Sequence, residues 1–508
     1  MIRFTRGPWQ ASLLILLCAL LLLAGCMDES EPKSVEKAIP TDPSRPDIVL
    51  IGSEIEGIYL ADAAREVGLS VVILDPRDEP GGQLIQGEMH YLDETQGGDG
   101  KTLLQGKVKE LFEAYKLGSI RKGPEFQSYF QKLLDGVPIE SGITITSVEF
   151  GTDSVTLKKR IQSLKYRTKN GLDKAISAKY WVENSDFATL SSKLGLNRLP
   201  GVEVVFGGDK DYMASSLMMK FKNVDWSKFK QEVNKLSNKE REENYGKATT
   251  VTDMFTWGFG NVGGRYKPTS SQVFLRGLNT VNQLNGEALI NALLVYNVDP
   301  SNPESIRKAL ELGRHETELI LQHLRKELPG WENAELNGYP NYLYVRDYDR
   351  YETEYVLRAS DLMSGRMFAD NVSIAGYKLD LQGTQNSVWG KEMGRPDKYG
   401  MPLRSFLSKG YANVIVAGKN VGAAGIAYGS ARIQPNTSIA GEVIGYLLGY
   451  VEEGLLPLTR LTDIQMAEFQ KTLKSRGITV TGVEGRNKQN DVDDGIRVLY
   501  DRESSQIK

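Results

Sequence analysis

The stretch from Asp47 to Asp75 constrains this chain most. It reads "DIVLIG", a turn "SEIE", a helical run "GIYLADAAREVG" and a second apolar run "LSVVILD". Both apolar runs are near-continuous rather than alternating, as in strands buried on both faces of a parallel sheet. Between them Ile58, Ala61, Ala64 and Val67 share one helical side, and Gly68 ends the run. Strand, glycine turn, helix, strand and a final acid is the order of a Rossmann-type βαβ unit, so the fold class is α/β with a parallel sheet. In such a unit the free N–H groups and dipole of the helix start form an anion site, and the acid, here Asp75, bonds a ribose hydroxyl. Gly52 and Gly57 bracket the turn, but Glu54 stands where a middle glycine is usual, and Glu56 follows it. A carboxylate about 5 Å from a phosphate at an effective dielectric near 20 costs about 3 kcal/mol, or roughly a hundredfold in affinity. Backbone amides do most of the binding in such loops. The Glu54 side chain is therefore expected to swing outwards, toward solvent or a ribose hydroxyl.

The chain start sets the expected compartment. Arg3 and Arg6 precede an apolar run, Leu13 to Leu23, and "LAGC" ends at Cys26. This pattern reads as a signal peptide, excluded from fold reasoning. Its end resembles the bacterial lipoprotein box, which implies lipidation at Cys26 and a place on the extracytoplasmic face of the cell membrane. The apolar run is too short to span a bilayer comfortably. Residues 27–46 are polar and proline-rich and read as a flexible tether. Beyond them the expected division is a nucleotide-domain part over 47–195, an inserted substrate or cap domain over 196–345, the rest of the nucleotide domain over 346–455, and a C-terminal helix with a polar, mobile tail over 456–508.

The two cysteines, Cys18 and Cys26, both precede the expected folded part. Disulfides, thiolate catalysis, cysteine-ligated zinc and iron–sulfur clusters are thereby excluded from that part. The three histidines, His90, His315 and His323, show no metal-ligand spacing, and no metal is expected. His315 and His323 lie in a charged helical stretch and read as surface residues. A net charge of −3 with both signs interspersed leaves no basic footprint for nucleic acid.

After Asp75 comes "PRDEPGGQL", whose glycine pair lets the backbone pass close to a ligand. Three further segments stand out. "AKYWVENSDFATLSSKLG" begins at Ala178, "LYVRDYDRYETEYVLRASDLMSGRMFAD" at Leu343, and "NVIVAGKNVGAAGIAYGSARIQPNTSIAGEVIG" at Asn413. Together with the first unit, and in this order, they resemble the FAD-dependent oxidoreductase family with the glutathione-reductase-like FAD fold, from Asp47 to about Gly477. The resemblance implies a non-covalently bound FAD held by Gly52, Ser53, Glu54, Gly57, Asp75, Arg77, Gly82, Gln83, Ser185, Gly418, Asn420, Arg432 and Ile433. It places Glu183 where the family has an aspartate, and the helix start after Ile433 at the pyrimidine edge of the flavin. Two departures stand in the sequence: Glu54 itself, and "Asn184-Ser185-Asp186" where the family has Ala-Thr-Gly.

The resemblance implies a membrane-anchored oxidoreductase acting on a small molecule, with the flavin carrying the redox step. Candidate groups around it are His90 and Tyr91, Arg346 and Arg350 as a carboxylate clamp, and Tyr428 beside Arg432. The glycine–aromatic stretch Trp257 to Tyr266 is a candidate pocket lining. Arg3 and Arg6 form no twin-arginine pair, so the chain is expected to cross the membrane unfolded and to acquire its cofactor outside. That route, with Glu54 and Asp186, motivates two alternatives: a binding or scaffolding lipoprotein that keeps the fold without the cofactor, and a receptor that delivers a nucleotide without redox turnover.

Overall fold

The computed structural model describes residues 37–208 and 210–507. The expected signal peptide, Cys26 and residues 27–36 of the expected tether lie outside the described residues. The rest of that tether is built into the domain rather than free. The Ala38 N–H donates to the Arg65 carbonyl at 3.1 Å, the Arg65 Nε–H donates to the Ala38 carbonyl at 3.0 Å, and Ser177 N–H donates to the Ser44 carbonyl at 3.0 Å.

A five-stranded parallel sheet organises the nucleotide domain. Its strands are β1 (Ile48–Ile51), β2 (Val71–Asp75), β3 (Ile139–Ser141), β4 (Tyr180–Glu183) and β5 (Val414–Val416), in the order β5-β4-β1-β2-β3. Every residue of β1, β2, β4 and β5 is buried, which is why their sequences are apolar up to the acids that end β2 and β4, Asp75 and Glu183. Helix α1 (Ile55–Glu66) follows β1, starting from Glu54 in extended conformation and stopping before Gly68, whose φ is +92°.

Helix α2 (Gln434–Glu453) has Pro435 in its first turn, where a missing N–H costs nothing. Three glycines at four-residue spacing put a bare stripe on α2. A Cβ at Gly441 would lie 2.2 Å from the Glu56 carbonyl oxygen, one at Gly445 2.3 Å from the Leu60 carbonyl oxygen, and one at Gly449 2.4 Å from the Val67 side chain. The glycines thus let α2 rest directly on the backbone of α1, just behind the nucleotide turn. Gly445→Ala is expected to cost about 1–3 kcal/mol by overpacking and to lower Tm. Gly264→Ala, where a Cβ meets nothing within 4 Å, is expected to leave Tm unchanged in the same thermal unfolding experiment.

A six-stranded sheet lies between the two halves of the nucleotide domain in the sequence, ordered Glu335–Leu336, Ser215–Lys222, Glu287–Val295, Val273–Leu284, Phe255–Trp257 and Thr250–Val251. The helix Pro303–Glu327 covers it, with Gly313 seated on Leu217. Ser301 with Glu304 three residues on has the form of a capping box, but Asn302 is the cap: its Oδ1 accepts the Glu304 N–H at 3.0 Å, while Ser301 Oγ donates to Asp299 at 2.6 Å. Pro303 takes the first helical position, so the residue before it must cap.

The chain end is a second departure. Helix Asp494–Ser505 packs onto the domain, and its Glu503 carboxylate is buried, accepting N–H bonds from Ala359 (2.9 Å), Ile426 (2.5 Å) and Ala427 (3.3 Å). Tyr500 is buried as well and its hydroxyl donates to the Met393 carbonyl. A polar composition suggested a mobile tail, yet one acid supplies acceptors for the loop that precedes α2.

Candidate functional site

The predicted segments meet at the carboxyl ends of β1, β2, β4 and β5. Gly52 adopts φ +89°, and a Cβ there would come 2.6 Å from the Ser185 backbone. A Cβ on Gly57 would lie 2.1 Å from Asn184 Nδ2, which donates to the Glu54 carbonyl at 2.8 Å. Asn420 Nδ2–H donates to the Ser185 carbonyl at 2.7 Å, and Gly418, at φ +57°, sits against Glu56. The glycines are there so that three turns can touch. Glu183 holds the second turn: its two oxygens accept the N–H and hydroxyl of Ser185 and the N–H groups of Leu190 and Ser191.

Glu54 does not swing outwards. It is buried, and its carboxylate accepts the Gln83 N–H at 2.9 Å, with Arg77 Nη2 and Lys419 Nζ each 3.3 Å from Oε1. A Cβ on Gly82 would lie 2.3 Å from Glu54 Oε2, so that glycine makes room for the acid. Burial pushes the Glu54 carboxyl up, but the charges of Lys419 and Arg77 and the Gln83 amide outweigh it and hold the group below its ordinary range. The expectation failed because two cations and an amide offer a carboxylate more than water does at this position.

Arg77 joins three acids: Glu54, Asp186 with Oδ2 at 3.6 Å from Nη1, and Asp75 with Oδ1 at 3.8 Å from Nε. Its guanidinium also lies 5.2 Å from the centre of the Tyr342 ring. Asp75 is buried and already engaged, accepting the Ser53 hydroxyl and the Arg77 N–H, the latter at 2.8 Å. Ser53 Oγ in turn accepts the Gly81 N–H at 2.7 Å, which ties the first glycine turn to the second.

Glu56 has a different environment. It is fully buried, its Oε2 has no partner, and Thr437 Oγ1 stands 3.5 Å from Oε1. Burial first, then the neighbouring Glu54 charge, pushes its carboxyl up to about 7. The folded state therefore keeps a proton that the unfolded chain gives up at ordinary carboxyl pKa. That contribution is full below the unfolded pKa and is lost as pH rises to 7. Glu56→Gln is expected to flatten the decline in stability between pH 5 and 7, read by urea denaturation at each pH.

Two cavities adjoin this centre. One, of about 850 Å³, opens beside Arg77 and Tyr342 and runs to Ile143, Phe187 and Tyr351. The other, of about 450 Å³, lies where Arg432 and Ile433, just before α2, face the six-stranded sheet. Trp257, Gly258, Tyr91 and Arg346 line it, while the rest of the stretch to Tyr266 does not.

The other candidates separate. His90 is buried, stacked on Phe126 at 4.1 Å, and bonded through Nε2 to the Leu84 carbonyl at 3.0 Å. Burial pulls its pKa down to about 3, so it packs as a neutral ring. Arg350 pairs with Asp347 at 2.6 Å and lies 3.6 Å from the Tyr428 ring centre, an internal ion pair rather than a clamp. Tyr428 is buried and donates to the Arg346 carbonyl at 3.1 Å. His315 is exposed, and His323 is half-buried against the Val262 carbonyl. Sequence reasoning missed Lys419, whose signal was a lone lysine inside the apolar glycine loop "VAGKNVGAAG". It also missed Tyr344, although that residue lies in the segment beginning at Leu343, and Arg276 and Asp380, which lie outside every segment singled out.

Comparison with curated proteins gives no match. Among solved structures the chain is similar to a geranylgeranyl bacteriochlorophyll reductase-like protein from Thermoplasma acidophilum, at 11% identity and TM-score 0.36, over 85% of this chain and 84% of that one. It is similar to p-nitrophenol 4-monooxygenase from Pseudomonas putida, at 11% identity and TM-score 0.35, over 91% and 92%. A myxobacterial chondrochloren halogenase gives 13% identity and TM-score 0.37, over 85% and 79%. These likenesses are too distant to carry an argument. The sequence model of the FAD dependent oxidoreductase family, by contrast, matches residues 47–473. With its parallel sheet, glycine turns and terminal acid in the expected order, the chain belongs to the FAD dependent oxidoreductase family.

Proposed function

We propose that this FAD-dependent oxidoreductase is held by a lipid at Cys26 on the extracytoplasmic face of the membrane and acts there on a small molecule. The cavity between Arg432, Ile433 and the six-stranded sheet carries the reading of a substrate site, because it adjoins the α2 helix start at the flavin end of the fold. The family cofactor is FAD. The donors present fit its diphosphate: the Gln83 amide, the Arg77 guanidinium and the Lys419 ammonium together hold an anion, and that anion is the Glu54 carboxylate. Cofactor and Glu54 therefore share one set of donors. Residues that would hold FAD are the Gly52–Ser53 turn, Gln83, Arg77 and Lys419 at the diphosphate, Asp75 at a ribose, and Arg432 with the start of α2 at the flavin. Bound FAD supplies the two-electron redox step. The chain's own part is to bind, orient and exclude water, with buried aromatic and arginine side chains at the cavity.

The cofactor-free binding lipoprotein stays as the second reading, favoured by the Glu54 carboxylate in place of a phosphate. Two measurements on the full chain separate them. Fatty-acid labelling is expected to mark the wild type and not Cys26→Ser, which should leave the membrane fraction. A flavin band that bleaches with a reductant and returns in air supports the enzyme; a labelled protein with no flavin supports the binding module.

A further inference from the structure

The cavity beside Arg432 collects three arginines, none of which is in contact with a carboxylate among the described residues. Arg276, Arg346 and Arg432 all line it. Arg346 and Arg432 are buried at 2% and 6% exposure, and among the described residues no carboxylate lies within 4.0 Å of any of the three guanidiniums. Their bonds go to neutral acceptors. Arg276 donates to Gln382 Oε1 at 2.6 Å and the Asn291 carbonyl at 3.1 Å, and Arg346 to the Ala214 carbonyl and to Ser216 Oγ at 2.7 Å. Arg432 donates to the Tyr344 hydroxyl at 3.2 Å and the Asp380 carbonyl at 3.4 Å. Nε of both Arg276 and Arg432 has no acceptor.

The acids on the same wall act on the arginines only from beyond contact: against its burial, the charges of Lys378, Arg432 and Arg276 hold the Asp380 carboxyl below its ordinary range, and Arg276 acts on Asp93. Asp380 lies 3.5 Å from Lys378 Nζ and accepts Gln382 Nε2 at 2.6 Å, Asp93 bonds Tyr377, and Glu392 pairs with Arg395 at 2.5 Å. Burial, and then the charges of Arg276 and Arg432, pull the Arg346 pKa down to about 9. Buried guanidiniums without a counter-ion in contact are unfavourable, and an arginine fork matches the two oxygens of a carboxylate. Four aromatic side chains share the mixed wall around the three arginines: Tyr91, Tyr377, Trp257 and Trp389.

We propose that this cavity binds a small aromatic or planar organic acid, with its carboxylate among Arg276, Arg346 and Arg432 and its body against the tyrosine and tryptophan faces. The proposal rests on reading this cavity as the substrate site.

The test uses the full chain with FAD in detergent, titrated with benzoate and phenylacetate, with their amides and with phenyl phosphate. Binding is read by tryptophan fluorescence, since Trp257 and Trp389 line the cavity, and separately by the flavin spectrum. The carboxylates are expected to bind at least tenfold more tightly than the amides. Arg276→Gln, a change at a half-buried residue, should lower carboxylate affinity about tenfold and leave amide affinity unchanged, and Arg276→Lys should recover part of the loss. Equal binding of acids and amides, no binding of either acid, or tighter binding of phenyl phosphate than of both acids would overturn the proposal. A protein that binds the acids but retains no flavin would sink the oxidoreductase reading and leave the acid site standing.

Discussion

Glu54→Gln raises the affinity for FAD by on the order of a hundredfold. The variant keeps the shape of the side chain and removes the charge that competes for Gln83, Arg77 and Lys419. A carboxylate about 5 Å from a phosphate opposes it by about 3 kcal/mol at an effective dielectric near 20, and about 1.4 kcal/mol corresponds to each factor of ten. The same change weakens the protein without cofactor. Arg77 and Lys419 lose a buried counter-ion, at a cost of about 3 kcal/mol or more. Urea denaturation with and without FAD separates the two effects: the variant starts lower and gains more from FAD than the wild type does. Equal FAD affinities in a FAD titration would show that the cofactor does not use these donors.

Arg77→Met is the most damaging single substitution near the site. Three acids, Glu54, Asp75 and Asp186, lie within 4 Å of one guanidinium that is itself buried at 7% exposure. Removing one partner of a buried ion pair costs about 3–5 kcal/mol. Glu54 keeps Lys419, but Asp75 and Asp186 are left with hydrogen-bond donors alone or with no cation. Burial already raises the Asp75 carboxyl, and the Arg77 charge is the largest influence opposing that rise; without the cation Asp75 titrates higher still than in the unfolded chain, so stability is gained as pH falls and lost as it rises through that value. The variant's deficit in urea denaturation is therefore expected to be smaller at pH 5.5 than at pH 7.5. A variant as stable as the wild type at pH 7.5 would show that the acids are neutralised in some other way.

Much of this arrangement was legible in the sequence because local rules agreed with the global fold. Continuous apolar runs announced β1 and β2, the 3.6-residue spacing and Gly68 announced α1, and the glycines at 52, 57 and 418 marked the turns that meet. The orientation of Glu54 was not legible. It is decided by Lys419, 365 positions away, and by Gly82, whose missing Cβ leaves the space the carboxylate fills. The reading of His90 failed for a similar reason. A histidine in a polar loop looks available, but Phe126 and the Leu84 carbonyl bury it as a neutral ring. The tail beyond the C-terminal helix reads as polar and mobile, and the acid that anchors it, Glu503, has its three donors far back in the sequence. Long-range pairing of charges, rather than any local pattern, sets the chemistry of the site.

FAD binding to this chain requires the donors that Glu54 now holds. The direct measurement is the visible spectrum of the full chain after incubation with FAD and desalting, with Glu54→Gln run beside it. The expected result is a flavin band retained by the wild type and a tighter-held one in the variant. A protein that is folded by circular dichroism yet colourless in both forms would contradict the cofactor site described for this chain.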